Sequence, residues 1–384
     1  MTALAPTDHS TALVAEVEAF LQSEPSAPVF DDLDERFEYL VGYQHRLHRA
    51  GLAVPGWPIE MGGRGLSVAD AVTVSSALGS RGAPELINFV GTDVLAPALF
   101  KFAEPDRLRR WMPKVASAEE IWCQLFSEPD AGSDLTSLRT RADWVDGGWL
   151  VNGQKVWSTW AQFSRWGFLL ARTGPPAARH RSISAFVIDM ATPGITIEPL
   201  VTMTHAAEFA EVFFDDVLLP HDAIVGEVDG GWALAQTVLN AERGPYAIRR
   251  AAVIGGALGR LLERARAMPL TRSDRRVVLQ AYTDFRLLEL RIATLVDQVI
   301  DGRASGPEAA VTKQLMTAAE QSVFTAVHHL LGVDGVAWSS AWMPPMVEEY
   351  FYSRAASIYG GTSQIQRDII GERLLGLPRE PGRE

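Results

Sequence analysis

The feature that most restricts the fold is a change of hydrophobic period partway along the chain. From about residue 10 to 120 apolar residues recur at three and four, as in TALVAEVEAFLQ, the spacing of an amphipathic helix. From about 121 to 222 the texture becomes short β-branched and aromatic runs, GGWLVNGQKVWSTW, ISAFVIDM, GITIEPL and AEVFFDDVLLP, separated by Gly, Pro and Asn-Gly. From about 230 helical spacing returns in longer stretches. The order predicts an α+β chain: an N-terminal helical domain over 1–120, a middle antiparallel β domain over 121–222, and a C-terminal helical bundle over 223–384.

Local signals refine this outline. DDLDERFEYLVGYQHRLHRAGL opens on acids and closes on Arg49 and Gly51, the charge order that suits a helix dipole. AVPGWPIEMGGRGLS is a Gly/Pro-rich loop, after which Ser67 is placed to cap the next helix. Asn152-Gly153 is expected to form a hairpin turn. The stretch from Trp232 to Ala267 reads as one long helix carrying Glu242-Arg243, with Gly255, Gly256 and Gly259 allowing close helix packing. His328-His329 falls in an apolar helical run, where packing or hydrogen bonding is the expected role.

Composition removes several function classes. The net charge of −12 leaves no basic excess to grip phosphates, so a nucleic-acid partner is not expected. Cys123 is the only cysteine, so no internal disulfide can form. The first twenty residues lack the basic start and long apolar core of a secretory signal, and no apolar run has membrane-spanning length. The expectation is a cytoplasmic protein with no membrane partner. Neither G-x-x-x-x-G-K-[ST] nor a strand followed by G-x-G-x-x-G occurs. His205, His328 and His329 lack metal-ligand spacing, and no metal is expected.

Two stretches of the β region suit either a flat polar ligand or a plain structural role, a turn between strands for the first and domain core for the tryptophan of the second. In QLFSEPDAGSDL, from Gln124, small residues and hydroxyls let backbone N–H groups approach a ligand closely. KVWSTWA brings an indole, Trp157, and the hydroxyls of Ser158 and Thr159. Together with WPIEMGGRGLS, with VFFDDVLLP followed by VGEVDGGW, and with the C-terminal IYGGTSQIQRDIIGERLLGLPR, they make five pieces in order. The chain resembles the acyl-CoA dehydrogenase family over nearly its whole length.

The resemblance implies a β-barrel-like middle domain, a C-terminal four-helix bundle that also carries oligomer contacts, and FAD between the two. It further implies an acyl-CoA substrate, electron-transfer flavoprotein as electron acceptor, and a homotetramer or homodimer, with a heterotetramer as a further form. Carried over by motif position, Gln124, Phe126, Ser127, Gly132 and Ser133 would lie by the flavin and the CoA thioester arm. Trp157 would lie against the isoalloxazine and Thr159 near N5. Thr362 and Gln364 would contact the rest of FAD, although many relatives have Glu where Gln364 stands.

Two further departures concern the cofactor. The family's Arg-x-x-Phe-Gly pyrophosphate segment is replaced by RARAMPLTRSDRRVVLQ, leaving Arg266, Arg272, Arg275 and Arg276 as alternatives. The adenosine segment reads HHLLGVDG, with Val333 in place of a glycine and His329 in place of a glutamine, so that His329 would be the cofactor contact there.

The family's reaction needs a base to take the α-proton of the thioester while the β-hydride passes to flavin N5. A partly desolvated carboxylate suits this role. In many members the base directly precedes the Gly-Thr of the C-terminal motif, which here is Gly360. A branch resembling isovaleryl- and long-chain acyl-CoA dehydrogenases takes it from the first helix of the bundle, immediately before an arginine, and Glu242 matches that position. Glu242 is therefore the expected base, with trans-2-enoyl-CoA as product. Arg243 and Asn240 would contact the CoA arm, Tyr359 the substrate, and the Gly360 N–H the thioester oxygen. Tyr246 and Trp160 would shape the acyl pocket. Competing readings keep the fold: a relative acting on a carrier-protein thioester or another non-CoA substrate, or a low-activity subunit of a mixed α2β2 enzyme. Arg243 and Ser133 favour CoA.

Overall fold

The structure is a computed structural model and describes residues 8–25, 28, 30, 32–242, 245–301, 306–337 and 345–379. Its chain divides into two compact units, one of Asp32–Gly65 and Leu86–Ala241, the other of Met1–Asp31, Leu66–Glu85 and Glu242–Glu384.

The first unit is built on an eight-stranded sheet. Its strands are β1 (Trp122–Leu125), β2 (Arg141–Val145), β3 (Gly148–Thr159), β4 (Trp166–Arg172), β5 (Ile183–Asp189), β6 (Ile195–Leu200), β7 (Phe209–Leu219) and β8 (Ile224–Val225). The order is β6-β7-β3-β2-β4-β5-β8, with β1 beside β4. Most pairs are antiparallel, while β1–β4 and the short β2–β4 contact are parallel. The helices of this unit are α2 (Leu33–Arg49), α4 (Ala96–Phe102), α5 (Pro105–Ser117) and α6 (Gly231–Ala241). Side chains alternate across a strand, so β4 and β5 can serve two cores. Phe168, Leu170, Ala185 and Val187 join a core with Leu99, Trp111, Met112, Leu234 and Val238 of the helices. Leu169, Ala171, Phe186 and Ile188 join a second core with Val212 and Phe214 of β7. Both strands are almost wholly buried for this reason, whereas β6 alternates between half-buried and exposed.

The second unit is helical: α1 (Asp8–Ser23), α3 (Val68–Ser80), α7 (Pro245–Ala267), α8 (Arg272–Ile300), α9 (Glu308–Leu331), α10 (Pro345–Tyr352) and α11 (Ser363–Ile369). Its core gathers Ile254, Leu258, Leu261, Leu288, Leu295, Met316, Val323 and Phe324. Two of the three glycines flagged for packing serve that purpose. A Cβ on Gly256 would come within 2.9 Å of the carbonyls of Gly79 and Ser80, and one on Gly255 within 2.7 Å of Phe285. Gly259 has nothing within 4 Å of that position. The N-terminal helices thus divide between the units, α1 and α3 with the long C-terminal helices, α2, α4 and α5 with the sheet.

Several local expectations are met. Asp32 caps α2 and Ser67 caps α3, the Ser67 hydroxyl accepting from Asp70 N. His328 stacks on Tyr350 at 4.3 Å and its Nε2 lies 3.1 Å from Gly335 O. Two expectations are corrected. Asn152-Gly153 is not a hairpin turn but an irregularity inside β3, whose hairpin with β2 turns at Asp146-Gly147. Gly153 has φ +150°, and a side chain there would strike Thr140 Oγ1 at 2.5 Å, while Asn152 binds Asp216. The stretch from Trp232 to Ala267 is not one helix but α6 and α7. Pro245 cannot donate a backbone hydrogen bond, and it disfavours helical geometry at the residue before it, so the helix restarts at the proline. Glu242 accordingly sits in the turn after α6 rather than within a helix.

Candidate active site

On the sheet unit, β1 delivers the chain into the loop from Phe126 to Ser133, and a buried ion pair holds that loop. Lys155 of β3 is wholly buried and donates from Nζ to Phe126 O (3.0 Å) and to Glu128 Oε1 (2.8 Å). The Glu128 carboxylate also accepts from Arg139 N (2.6 Å) and Thr140 N (2.9 Å), and Val156 N donates to Ser127 O (2.9 Å). Burial by itself would raise the Glu128 pKa, but the Lys155 ammonium and the hydrogen bonds outweigh it and leave the carboxyl below its ordinary value. Burial lowers the Lys155 pKa to about 8, only partly opposed by Glu128, so the lysine is still mainly charged at neutral pH.

The loop presents Gly132 and Ser133 to solvent, with Ser127 half-buried and Phe126 in the core, 6.1 Å from Phe168. Gln124 lies in β1, half-buried. Trp157 is 60% exposed and has φ +61°, rare for an aromatic residue. It falls where the β3–β7 register shifts between Lys155 and Ser158, and the bulge turns the indole outward, its edge against Phe209 at 6.0 Å. Thr159 pairs with Phe209 on β7 and is half-buried. Asn240 is exposed on the last turn of α6. Trp160 is a core residue, tilted against Phe37 and Phe163.

In the helical unit the motif around Gly360 is held by one face of α9. Lys313 Nζ and Thr317 Oγ1 both donate to Ala356 O at 2.9 Å, Gln314 donates to Ser363 O and Gln321 to Ser353 O. The Tyr359 hydroxyl donates to Glu320 Oε2 (3.3 Å), and burial followed by the Glu320 charge keeps it protonated far above its ordinary range. Glu320 is 0% exposed and is paired with Arg250 at 2.7 Å, and Arg250 also reaches Glu349 at 2.7 Å. These carboxylates hold the Arg250 pKa well above its usual value despite burial. Gly360 and Gly361 have φ +63° and +88°, left-handed conformations that glycine adopts without cost from a side chain. Gln366 secures both carbonyls, donating to Gly360 O at 2.9 Å and Gly361 O at 3.2 Å. Thr362 caps α11 through its hydroxyl, which accepts from Ile365 N, and Gln364 is exposed on the first turn.

Glu242 and Gly360 meet. A Cβ built on Gly360 would lie 3.2 Å from Glu242 Oε2 and 3.4 Å from Lys313 Cε. The carboxylate of residue 242 reaches the space a side chain at 360 would enter. Arg243 lies outside the described residues. His329 stands exposed at the end of α9 with Nε2 2.8 Å from Asp274 Oδ1. Among the described residues no group of three or more His, Cys, Asp or Glu is arranged to hold a metal, and no helix is long and apolar enough to cross a membrane.

Sequence reasoning passed over Lys155 with Glu128, Lys313, Thr317, Glu320, Gln366 and Arg250. The signal for three of them was present: Lys313, Thr317 and Glu320 stand at i, i+4 and i+7 of a helix whose other buried positions are mostly apolar, so they share one face.

A helical N-terminal region, a central mixed sheet and a C-terminal helical bundle make up the three-part fold of the acyl-CoA dehydrogenases. The chain belongs to the acyl-CoA dehydrogenase family, and its chemistry is the flavin-linked dehydrogenation of that family. Residues 7–119 match the acyl-CoA dehydrogenase N-terminal domain, 123–217 the middle domain and 229–375 the C-terminal domain. It is 37% identical to acyl-CoA dehydrogenase IpdE1 of Mycobacterium tuberculosis over 352 residues, 90% of either chain. Among solved structures it resembles the Tcur3481-Tcur3483 steroid ACAD, at 25% identity and TM-score 0.85 over 99% of this chain and 100% of that one. The ChsE4-ChsE5 complex from Mycobacterium tuberculosis matches at 26% identity and TM-score 0.80, over 98% and 100%.

Proposed function

We propose that this chain dehydrogenates an acyl-CoA thioester to the trans-2-enoyl-CoA with Glu242 as the base, as one subunit of a mixed assembly of two related acyl-CoA dehydrogenase chains. The observation that carries the base is the meeting of Glu242 Oε2 with the vacant side-chain position of Gly360. The motif position that supplies the base in many relatives and the carboxylate of this chain converge on one point.

The surface of the chain suits FAD. Trp157 offers an exposed indole in a backbone conformation that costs energy, a combination expected where a flat ring is to be received. Thr159 follows close behind it in sequence, half-buried, and the same unit carries the exposed, small-residue loop of Gly132 and Ser133. Phe126, Ser127, Gly132, Ser133, Trp157 and Thr159 would hold the flavin end and Thr362 and Gln364 the remainder. His329 is engaged by Asp274, and the adenosine end is not assigned to it. FAD, when bound, accepts the β-hydrogen of the substrate as a hydride.

The protein's own residues do the rest. Glu242 takes the α-proton onto its carboxylate. The Gly360 N–H, oriented by the left-handed turn that Gln366 and α9 fix, donates to the thioester oxygen and stabilises the charge that grows there. Arg243 and Asn240 bind the CoA arm, and electron-transfer flavoprotein collects the electrons.

Support for the mixed assembly comes from the two solved relatives, each described as a pair of different chains, together with the absent Phe-Gly segment and the altered adenosine segment of this one. The description of one of them as a steroid ACAD makes a bulky polycyclic acyl group the first substrate to try. The test is flavin stoichiometry of the chain purified alone and with a co-expressed partner chain from the same source, followed by anaerobic bleaching with short, long, branched and sterol-side-chain acyl-CoAs. The expected result is full flavin loading only with the partner and fastest bleaching by the sterol-side-chain thioester. A fully loaded homomer acting on straight chains would contradict the assembly and the substrate alike.

A further inference from the structure

The chain carries a second group at the point where Glu242 meets Gly360, one that no family motif singled out in the sequence. Lys313 is 2% exposed in the second turn of α9, with Ala309, Ala310 and Met316 and the polar Thr312 and Thr317 as its buried neighbours on the helix. A lysine is rarely buried unless a specific structure stabilises its charge. Its Nζ donates to Ala356 O at 2.9 Å and stands 3.9 Å from the centre of the Tyr359 ring, a cation over an aromatic face. From there it looks onto Gly360: the position a Cβ would take lies 3.8 Å from Lys313 Nζ and 3.2 Å from Glu242 Oε2. With glycine at 360, the ammonium and the carboxylate face one shared point with no side chain of residue 360 between them.

We propose that Lys313 is the positioning residue of the base, fixing the 356–360 turn through Ala356 O and holding Glu242 ionised at neutral pH. This rests on the reading of Glu242 as base. The physical need is plain. A carboxylate in a site dried by substrate becomes a weaker acid as its charged form loses solvation, and an opposite charge a few ångströms away restores the ionised form. Glycine at 360 lets one ammonium serve the turn and the base together.

The other charged and titratable groups of this face do not substitute for Lys313. Arg250, the other fully buried cation among the described residues of the helical unit, is held between Glu320 of α9 and Glu349 of α10. The hydroxyls of Tyr246 on α7 and Tyr359 are pushed up by burial first and then by neighbours, which for both include Glu85 and Tyr352, so both stay protonated at physiological pH.

The experiment compares wild type, Lys313→Met and Lys313→Arg as FAD-loaded enzyme in its native assembly. Anaerobic bleaching by octanoyl-CoA and by a sterol-side-chain acyl-CoA is followed against pH. The carboxyl infrared band of residue 242, isolated by subtracting a Glu242→Gln sample, is titrated without substrate. In Lys313→Met the acid limb of the bleaching profile and the infrared midpoint both move up by about one unit or more, and Lys313→Arg returns them toward wild type. A rate lowered equally at every pH, with the infrared midpoint unmoved, overturns the proposal and leaves Lys313 a structural strut. Should Lys313→Met not fold, Lys313→Gln takes its place in both titrations: an upward shift of the midpoint supports the proposal, and an unmoved midpoint overturns it. Full bleaching in Glu242→Gln would defeat the base assignment itself. Loss of bleaching in that variant with an unmoved midpoint in Lys313→Met defeats the lysine alone.

Discussion

Two buried lysines, one in each unit, hold the two loops that carry the family's motifs, and they do so differently. Lys155 of β3 grips Phe126 O and is neutralised at 2.8 Å by Glu128, itself tied to two backbone N–H groups. Its charge is spent inside the scaffold, and the loop it steadies displays glycine and serine outward. Lys313 of α9 grips Ala356 O in the same way, but its charge stands by an aromatic face and beside the space shared by Gly360 and Glu242. The comparison teaches that the same residue type, buried to the same degree, can be scaffold in one unit and part of the chemistry's electrostatics in the other. What separates them is where the charge is directed, onto Glu128 in one unit and toward the space shared by Gly360 and Glu242 in the other.

The strongest way to break this comparison is Lys155→Met. Glu128 would be left buried without its cation, and removing one partner of a buried pair costs about 3–5 kcal/mol. Denaturant unfolding of the holoenzyme should show that loss, with flavin released early because the Phe126–Ser133 loop loosens. The pair also has a pH signature. Glu128 has a folded-state pKa below its unfolded value, so its contribution is complete above the ordinary glutamate range, about 4.3, and is lost as pH falls through the folded value. Acid unfolding of wild type should therefore be steeper than that of Glu128→Gln, measured by circular dichroism at matched temperature.

Gly360→Ala should have a smaller effect on stability and a sharper one on rate. A Cβ at φ +63° costs about 1–2 kcal/mol, and it would crowd Glu242 Oε2 at 3.2 Å. Displacing a reacting group by less than an ångström lowers rate by about tenfold to a hundredfold, so stopped-flow bleaching should slow with flavin content unchanged. The smallest change is expected from His329→Ala. Its pair with Asp274 is partly exposed, and surface pairs of this kind contribute about 0–1 kcal/mol. Thermal unfolding and flavin content should both stay near wild type; loss of flavin would return His329 to the cofactor site.

Much of the fold was legible because each signal was local. The change of period marked the sheet, and Ser67 and the acids before α2 marked helix starts. Of the candidate site, motif position pointed to Trp157 and the Gly132-Ser133 loop, which are exposed, and to Glu242 and Gly360, which lie together. Other features depend on contacts distant in sequence and were not legible. Asn152-Gly153 reads as a turn by itself, and it is the pairing of β3 with β2 and β7 that makes it a point inside a strand. Pro245 announced a helix break, yet a continuous apolar stripe masked it. The face of α9 bearing Lys313, Thr317 and Glu320 looks like a flaw in an apolar helix until the 353–363 segment is laid against it.

The central claim is that Glu242 removes the α-proton. The most direct measurement is anaerobic bleaching of the bound flavin in Glu242→Gln by the acyl-CoA that reduces wild type fastest. The account predicts normal flavin content, retained binding of the thioester and no bleaching on the wild-type timescale. Bleaching at the wild-type rate would contradict it.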